Sequence, residues 1–225
     1  MSTVFLMEKE CFLCGGKNKQ YESGPLSHLS GARDLDGRPS GFQRSGIYNS
    51  IHRCIFCGYC SPDLTMGVSG FSELIQMSPY RKQLNNPLFP ETANSFLCYT
   101  MLVLSAGQIA EAGWTTLHGA WICDDNGFDE SADYCRNKAL NLFIKCRDQK
   151  ESFADSYHEE QLILTDILRR LRRFEEAQSL CDKQLLSCIS EDASVLFHFE
   201  KMLISETNCK CYSIQDAFEY QETLQ

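Results

Sequence analysis

Two cysteine motifs, each followed by a glycine, constrain this chain more than any other feature of its sequence. The first is Cys11-Phe12-Leu13-Cys14-Gly15 and the second is Cys54-Ile55-Phe56-Cys57-Gly58. Glycine adopts positive φ without a Cβ penalty, so the backbone can fold back and direct N–H groups at the sulfurs. Two such turns supply four soft ligands in tetrahedral geometry, as a closed structural zinc site requires. The motifs predict one structural Zn²⁺ per chain, bound by Cys11, Cys14, Cys54 and Cys57.

Neighbouring residues offer alternative ligands for this site. Cys60 forms a second, overlapping spacing with Cys57, but Gly58 directly after Cys57 favours the earlier pair. His28 and His52 are ligands by residue type, although the four cysteines already complete a tetrahedron. A redox pair normally needs its motif at a helix N-terminus, whereas β-prone segments flank both motifs here. A contact of Cys60, His28 or His52 with the metal stays open at this point.

The region around the two motifs is predicted to be a zinc ribbon with a long insertion. Residues 3–6 are β-prone and lead into the first motif, and residues 47–55 lead into the second. Between Cys14 and Cys54 lie 39 residues, mostly rich in glycine, for which we expect loops and short strands rather than a helix. Within this insertion, residues 17–22 are interpreted as a short polar segment. Residues 1–70 are therefore assigned to a zinc-ribbon module whose metal closes a long loop.

The remainder, residues 71–225, is predicted to be a helical domain. Apolar residues recur there at spacings of three and four, and short polar segments separate the periodic stretches. Short loops of this kind join antiparallel helices. The predicted helices are 72–85, 92–106, 109–123, 130–147, 157–171, 174–188, 193–205 and 214–220.

Two of the predicted helical hairpins resemble each other and a tetratricopeptide repeat. In the first hairpin, Gly107 occupies the turn and the small Ala112 follows at the point of closest helix packing. In the second hairpin, Arg172 stands where that glycine belongs and Ala177 is the small residue. The predicted fold class is mainly α, with a small β zinc ribbon followed by a tetratricopeptide-like hairpin array.

The order of these elements resembles a bacterial family of unknown function that couples an N-terminal zinc ribbon to tetratricopeptide-like helices. This resemblance implies an architecture and carries no activity with it. Both cysteine motifs lack the proline that usually follows the first cysteine. The residues that carry the resemblance are Cys11-x-x-Cys14-Gly15, Asp34-Leu35-Asp36-x-Arg38-Pro39, Arg44, Cys54-x-x-Cys57-Gly58-Tyr59, Ala120-Trp121-Ile122-Cys123-Asp124-Asp125 and Cys135-Arg136.

The distribution of charge bears on the kind of partner. The formal net charge is −9, and all of the acidic excess lies after residue 70. An acidic body disfavours nonspecific binding to nucleic acid or to anionic membranes, because phosphate contacts need clustered cations. The first third of the chain is nearly neutral, so nucleic-acid binding by this small region is not excluded.

The 13 cysteines bear on the compartment. The N-terminus has no basic start and too short an apolar run for a signal peptide, and no apolar run is long enough to span a bilayer. We therefore expect a cytoplasmic protein whose surplus cysteines are small buried helix residues. These residues are Cys98, Cys123, Cys135, Cys146, Cys181 and Cys188.

Two charged clusters each have two interpretations. The insertion carries Asp34, Asp36, Arg38 and Arg44, which we expect to pair internally, with a binding loop as the alternative. The segment 169–173 carries four arginines at a helix end. Cations there satisfy the last carbonyls, so a solvated helix end is expected, with a docking patch for an acidic partner as the alternative.

One predicted helix carries two further candidate features. Trp114, His118 and Trp121, together with Leu117, share one face, which favours core packing over an aromatic binding groove. Asp124 and Asp125 end that helix, where acids oppose the helix dipole. This pair is either a local cap or a cation-binding or catalytic site.

The leading functional interpretation is a zinc-stabilised, nonenzymatic protein-interaction or scaffold protein, with a protein as its partner. The first alternative is nucleic-acid binding through the ribbon, favoured by Arg33, Arg38, Arg44 and Arg53. The second alternative is a metal-dependent enzyme that uses Asp124 and Asp125. No set of catalytic residues stands out in the sequence.

Overall fold

The computed structural model describes residues 4–23, 31–187 and 189–224. This part of the chain is mainly helical, with two small antiparallel sheets near the N-terminus beside a cluster of cysteines. The predicted fold class, a small β module followed by a helical array, is confirmed. No helix among these residues combines the length and the apolar character that crossing a membrane requires.

The first sheet is a hairpin that presents the first cysteine motif at its turn. Strands β1 (Val4–Glu10) and β2 (Lys17–Ser23) pair antiparallel from Val4↔Ser23 to Glu10↔Lys17. The prediction placed a short strand at 3–6 and missed β2. This second strand has no apolar alternation: its buried positions are polar, Asn18 and Gln20.

The second cysteine motif also lies at the turn of a hairpin, formed by β3 (His52–Arg53) and β4 (Cys60–Ser61). The strand predicted over 47–55 is much shorter, because residues 47–49 form a 3₁₀ turn. A short helix, α1 (Gly41–Gly46), precedes this turn, so the expectation of no helix in the insertion is wrong.

The helical region follows the predicted boundaries closely, with one exception. The predicted helix 72–85 is divided into α2 and α3, and Pro79 stands at the start of α3. Proline has no N–H and disfavours helical backbone in the residue before it, so it starts a new helix. The helices are α2 (Phe71–Leu74), α3 (Ser78–Leu84), α4 (Glu91–Ser105), α5 (Ile109–Asp125), α6 (Asp129–Asp148), α7 (Tyr157–Arg170), α8 (Phe174–Leu185), α9 (Glu191–Ser205) and α10 (Ile214–Thr223).

The α4–α5 and α7–α8 hairpins have matching turn residues and matching small buried residues, as expected from the similarity of their sequences. Gly107 has φ +81° in the first turn, and Arg172 has φ 61° in the second. Ala112 and Ala177 are both fully buried. Arg172 therefore adopts the left-handed conformation that glycine adopts at the matching position, although a side chain disfavours it.

The chain divides into two compact units that do not follow the predicted boundary at residue 70. One unit comprises Met1–Leu29 with Gly41–Leu142, and the other comprises Ser30–Ser40 with Phe143–Gln225. The insertion is thus divided between the two units. Independent folding of residues 71–225 stays a prediction.

Within the second unit, residues 31–40 are held by hydrogen bonds and a buried ion pair. The Leu35 N–H donates to the Tyr212 carbonyl at 2.9 Å, and the Ile214 N–H donates to the Arg33 carbonyl at 2.9 Å. Arg170 pairs with the buried Asp36 at 3.0 Å. These contacts support the interpretation of the charged residues as internal staples rather than a binding loop.

Two arginines of the cluster at the end of α7, Arg169 and Arg170, are buried. Arg169 is fully buried, donates to Glu200 at 2.7 Å and also pairs with Asp166. The same guanidinium donates to the carbonyls of Asn208 and Lys210 at 2.7 and 2.9 Å. The solvated helix end and the docking patch are therefore both wrong for Arg169, because carboxylates and carbonyls of the same unit surround it.

The two neighbouring arginines of the cluster are also engaged. Arg170 is buried against Asp36, as described above. Arg173 pairs with Glu176, the residue three positions later, at 2.6 Å. The acidic partners of Arg169, Arg170 and Arg173 are thus residues of the chain itself.

Glu200 should make the stability of the second unit depend on pH. Burial raises the pKa of Glu200 to about 8, and Asp166 adds to the rise against the opposing effect of Arg169. The folded state then binds a proton that the unfolded state releases near pH 4.3. We expect the free energy of unfolding to fall between pH 5 and 8, by at most about 1.4 kcal/mol per pH unit.

Glu200→Gln should flatten this dependence, because its amide cannot ionise. Denaturant unfolding at several pH values measures the slope for both proteins. A neighbouring thiol, Cys181, faces Glu200, and burial raises its pKa, so it stays neutral throughout this range. An equal slope in wild type and variant would contradict the assignment.

Candidate metal centre

The two hairpin turns bring four cysteine sulfurs into one group. The Sγ atoms of Cys11, Cys14, Cys54 and Cys57 all lie within 4.8 Å of one another. Cys11 and Cys57 are 3.7 Å apart, and Cys14 and Cys54 are 3.6 Å apart. A tetrahedron with metal–sulfur bonds near 2.3 Å has edges of about 3.8 Å. The group therefore has the donors and spacing to hold a metal ion, as the sequence predicted.

The glycine after each motif has the conformation that the prediction required. Gly15 has φ +69° and Gly58 has φ +79°. Their N–H groups donate to the carbonyls of Cys11 and Cys54 at 2.8 and 2.9 Å, which closes each turn. The turns therefore hold their paired sulfurs on the same side, and a Cβ at either position would strain the backbone.

The surroundings of Cys54 favour its thiolate. Burial by itself raises the pKa of Cys54, but the N–H groups of Cys57 and Phe56 and the amide of Asn18 lower it to about 7. Burial raises the pKa of Cys57, and the neighbouring cysteines raise it further. Four thiols this close cannot all ionise without a cation, so metal binding would release protons.

Asn18 joins the two turns and was not identified from the sequence. Its side-chain NH₂ donates to the Gly16 carbonyl at 2.7 Å and to the Cys54 sulfur at 3.5 Å. Its side-chain oxygen accepts from the Ile55 N–H at 3.0 Å. Asn18 is buried on β2. In the sequence it lies between two lysines, and nothing in that local pattern indicates a buried residue.

The second turn is anchored to α3. The Gly58 carbonyl accepts a hydrogen bond from the buried Tyr80 hydroxyl at 2.9 Å. A Cβ on Gly58 would lie 2.5 Å from the Leu84 side chain, so the turn and the helix are in close contact. Arg53 donates to the Leu84 carbonyl at 3.3 Å. The cysteine turn and α3 are thus parts of one packed unit.

Two of the three alternative ligands, Cys60 and His52, lie outside this group. Cys60 is fully buried, and its thiol donates to the Gly58 carbonyl at 3.5 Å. Among the described residues, the four cysteines are the one group of three or more histidine, cysteine or acidic side chains close enough to share an ion, and His52 does not belong to it. His28 lies outside the described residues.

The candidate nucleic-acid arginines are engaged within the protein. Arg33 pairs with Glu159, and Arg38 is buried. Arg53 contacts Glu91 as well as α3. Arg33 and Arg38 belong to one compact unit, and Arg44 and Arg53 belong to the other.

The two acids at the end of α5 have separate partners. Asp124 pairs with the buried Arg136, and Asp125 accepts from the Tyr48 hydroxyl at 3.0 Å. Asn126 also donates to Tyr48, at 3.3 Å. The arrangement is that of a structural helix end.

The aromatic face of α5 is part of the core. Trp121 and Leu117 are buried, and the His118 ring stacks on Trp121 with the ring centres 4.7 Å apart. The preference for core packing over a groove is confirmed. The surplus cysteines within the described residues, Cys98, Cys123, Cys135, Cys146 and Cys181, are buried as predicted, and Cys188 lies outside those residues.

Comparison with known proteins provides no neighbour from which a role could be transferred. The chain matches no protein-family model, no curated protein and no solved structure. The metal centre is therefore interpreted from its own residues and geometry.

Asn18→Ala should loosen the metal centre without removing a ligand. The variant loses a donor to Cys54 and the link between the two turns, and such supporting residues typically change metal affinity by about 10–100-fold. Chelator competition on the purified protein measures this affinity. Gln20→Ala is the matched control, because Gln20 is buried on the same strand and no hydrogen bond joins it to a cysteine among the described contacts. Equal affinities for the two variants would contradict the role of Asn18.

Proposed function

We propose that this chain is a zinc-stabilised, nonenzymatic protein-interaction protein. The observation that carries the proposal is the composition of the metal centre: its four donors are all cysteine sulfurs. A tetrahedral metal held this way has no open position for water or substrate, whereas catalytic zinc sites keep one. The centre thus supports a structural role for the metal.

Zinc fits the donor set better than most biological cations. Thiolates are soft ligands, which disfavours calcium and magnesium, and four of them in a tetrahedron favour zinc or iron. Once bound, zinc would neutralise the crowded sulfurs and close the turns. The residues that would hold it are Cys11, Cys14, Cys54 and Cys57.

The metal-bearing module exposes several large apolar side chains. Large apolar side chains of its strands and turns are between 44% and 78% exposed. Exposed apolar clusters on small modules mark sites of protein interaction. These side chains are Phe5, Leu6, Met7, Phe12, Tyr21, Ile55 and Phe56.

The proposal includes a tetratricopeptide-like character for the helical hairpins and kinship with the bacterial family named above. Matching left-handed turn residues, Gly107 and Arg172, support it, as do the buried alanines at the positions of closest packing. Helical arrays of this kind serve as rigid platforms for partner proteins.

The other two functions have less support. Three of the four arginines expected to contact phosphate, Arg33, Arg38 and Arg53, pair with acids or are buried, and the chain carries a net charge of −9. The acids expected to bind a catalytic metal pair separately with Arg136 and Tyr48.

Metal analysis of the purified wild-type chain should find one equivalent of zinc. Cys54→Ser should lose the metal and part of its helicity, because the turn packs on α3 and zinc contributes about 10–16 kcal/mol to folding of such modules. Cys60→Ser, the matched control, should retain the metal. Iron in place of zinc, less than half an equivalent, or metal loss in Cys60→Ser would each contradict the proposal. Circular dichroism reports the helicity.

Ile55→Ser should weaken partner capture from the native cells. Ile55 is 78% exposed at the second turn, so its replacement should not affect folding. Leu186→Ser is the matched control, because Leu186 is 89% exposed outside the metal module. We expect the proteins captured by wild type to be captured by Leu186→Ser and lost with Ile55→Ser, as quantified by mass spectrometry. Equal capture by all three would contradict an interaction through this module.

A further inference from the structure

The first unit contains a cavity of about 690 Å³ between the α3–α4 connection and the start of α6. This volume lies within the range of small-molecule and side-chain pockets. None of the described residues between 4 and 61 lines it. The side chains used below are Leu88, Phe89, Phe128, Asp129, Glu130 and Tyr134.

The walls of this cavity are aromatic and held in place. The rings of Phe89 and Tyr134 meet edge to face with centres 5.7 Å apart, and Phe89 is buried while Tyr134 and Phe128 are exposed. The Ser131 hydroxyl donates to the Leu88 carbonyl at 2.5 Å, which ties the connection to the first turn of α6. The cavity is therefore a formed feature of the unit.

The charged residues that line the cavity are both acidic. Asp129 and Glu130 lie at its edge, and no lysine, arginine or histidine is among the lining residues. The positive end of the α6 dipole accounts for two acids at a helix start. It does not account for three aromatic rings in the same cavity. Aromatic faces together with carboxylates are complementary to a cation that also has a flat or apolar surface.

We propose that this cavity binds an arginine side chain within an apolar segment of a partner protein. A guanidinium stacks on aromatic rings and donates two parallel hydrogen bonds to a carboxylate, which an ammonium cannot do. The flanking apolar residues would contact Leu88 and Phe128. The inference rests on the proposed function in one respect, that the partner is a protein.

The test is a fluorescence-anisotropy titration with labelled heptapeptides that carry one central arginine between leucines, valines or phenylalanines. Matched peptides carry citrulline, which keeps the shape of arginine and lacks the charge. We expect at least one arginine peptide to bind the full chain about tenfold more tightly than its citrulline counterpart. Added salt should weaken the binding of the arginine peptide and leave the binding of the citrulline peptide unchanged.

Two variants assign the binding to the cavity. Glu130→Gln should remove most of the difference in affinity between the arginine and citrulline peptides. Tyr134→Leu should lower the affinity for both peptides. Glu222→Gln is the charge-matched control, because Glu222 is exposed on α10 and does not line the cavity. Thermal unfolding of each variant verifies the fold, and both tested side chains are exposed, so folding should persist.

Equal binding of arginine and citrulline peptides, no peptide binding, or unchanged preference in Glu130→Gln would each overturn the inference. Loss of peptide binding with capture still dependent on Ile55 would refute the cavity inference alone. Arginine-selective binding with capture independent of Ile55 would refute the proposed interaction surface and support the cavity.

Discussion

The four cysteine sulfurs join two hairpin turns that are separated by 39 residues of sequence. Closing a loop of this length costs conformational entropy, and the two-residue strands β3 and β4 are too short to hold the second turn by themselves. Like-charged thiolates at 3.6–3.7 Å would also repel one another without a cation. The geometry of the first unit near its N-terminus therefore depends on what occupies the space between the sulfurs.

In the second unit, a buried network of charged side chains joins segments that are distant in sequence, as the cysteine group does in the first. Arg169 donates to carboxylates from two helices and to two carbonyls of the connection before α10. Removing the arginine would leave Asp166 buried without its counter-ion and Glu200 without a hydrogen-bond donor, which is far costlier than an apolar replacement of the whole set. This network specifies how α7, α9 and the segment 208–210 pack.

The helices and the metal ligands were predictable from the sequence because local signals determine them. Apolar spacing placed α4 to α10 to within a few residues, and the cysteine motifs identified the sulfur group. The strand β2 was missed because its buried face is polar, and Asn18 was missed because its role depends on a turn 36 residues away. Arg169 and Arg170 at the end of α7 were misassigned because their acidic partners Glu200 and Asp36 are distant in sequence. Such pairings are tertiary, and a local pattern does not encode them.

The division of the insertion has a consequence for biosynthesis. Residues 33–35 form their backbone hydrogen bonds with Tyr212 and Ile214, near the end of the chain. During translation, both cysteine turns leave the ribosome long before those partners exist. The first unit can therefore bring its cysteine group together while Arg33 and Leu35 still lack their hydrogen-bond partners at Ile214 and Tyr212. A chain released early would retain the cysteine group and leave the buried acids of residues 34–36 exposed to water.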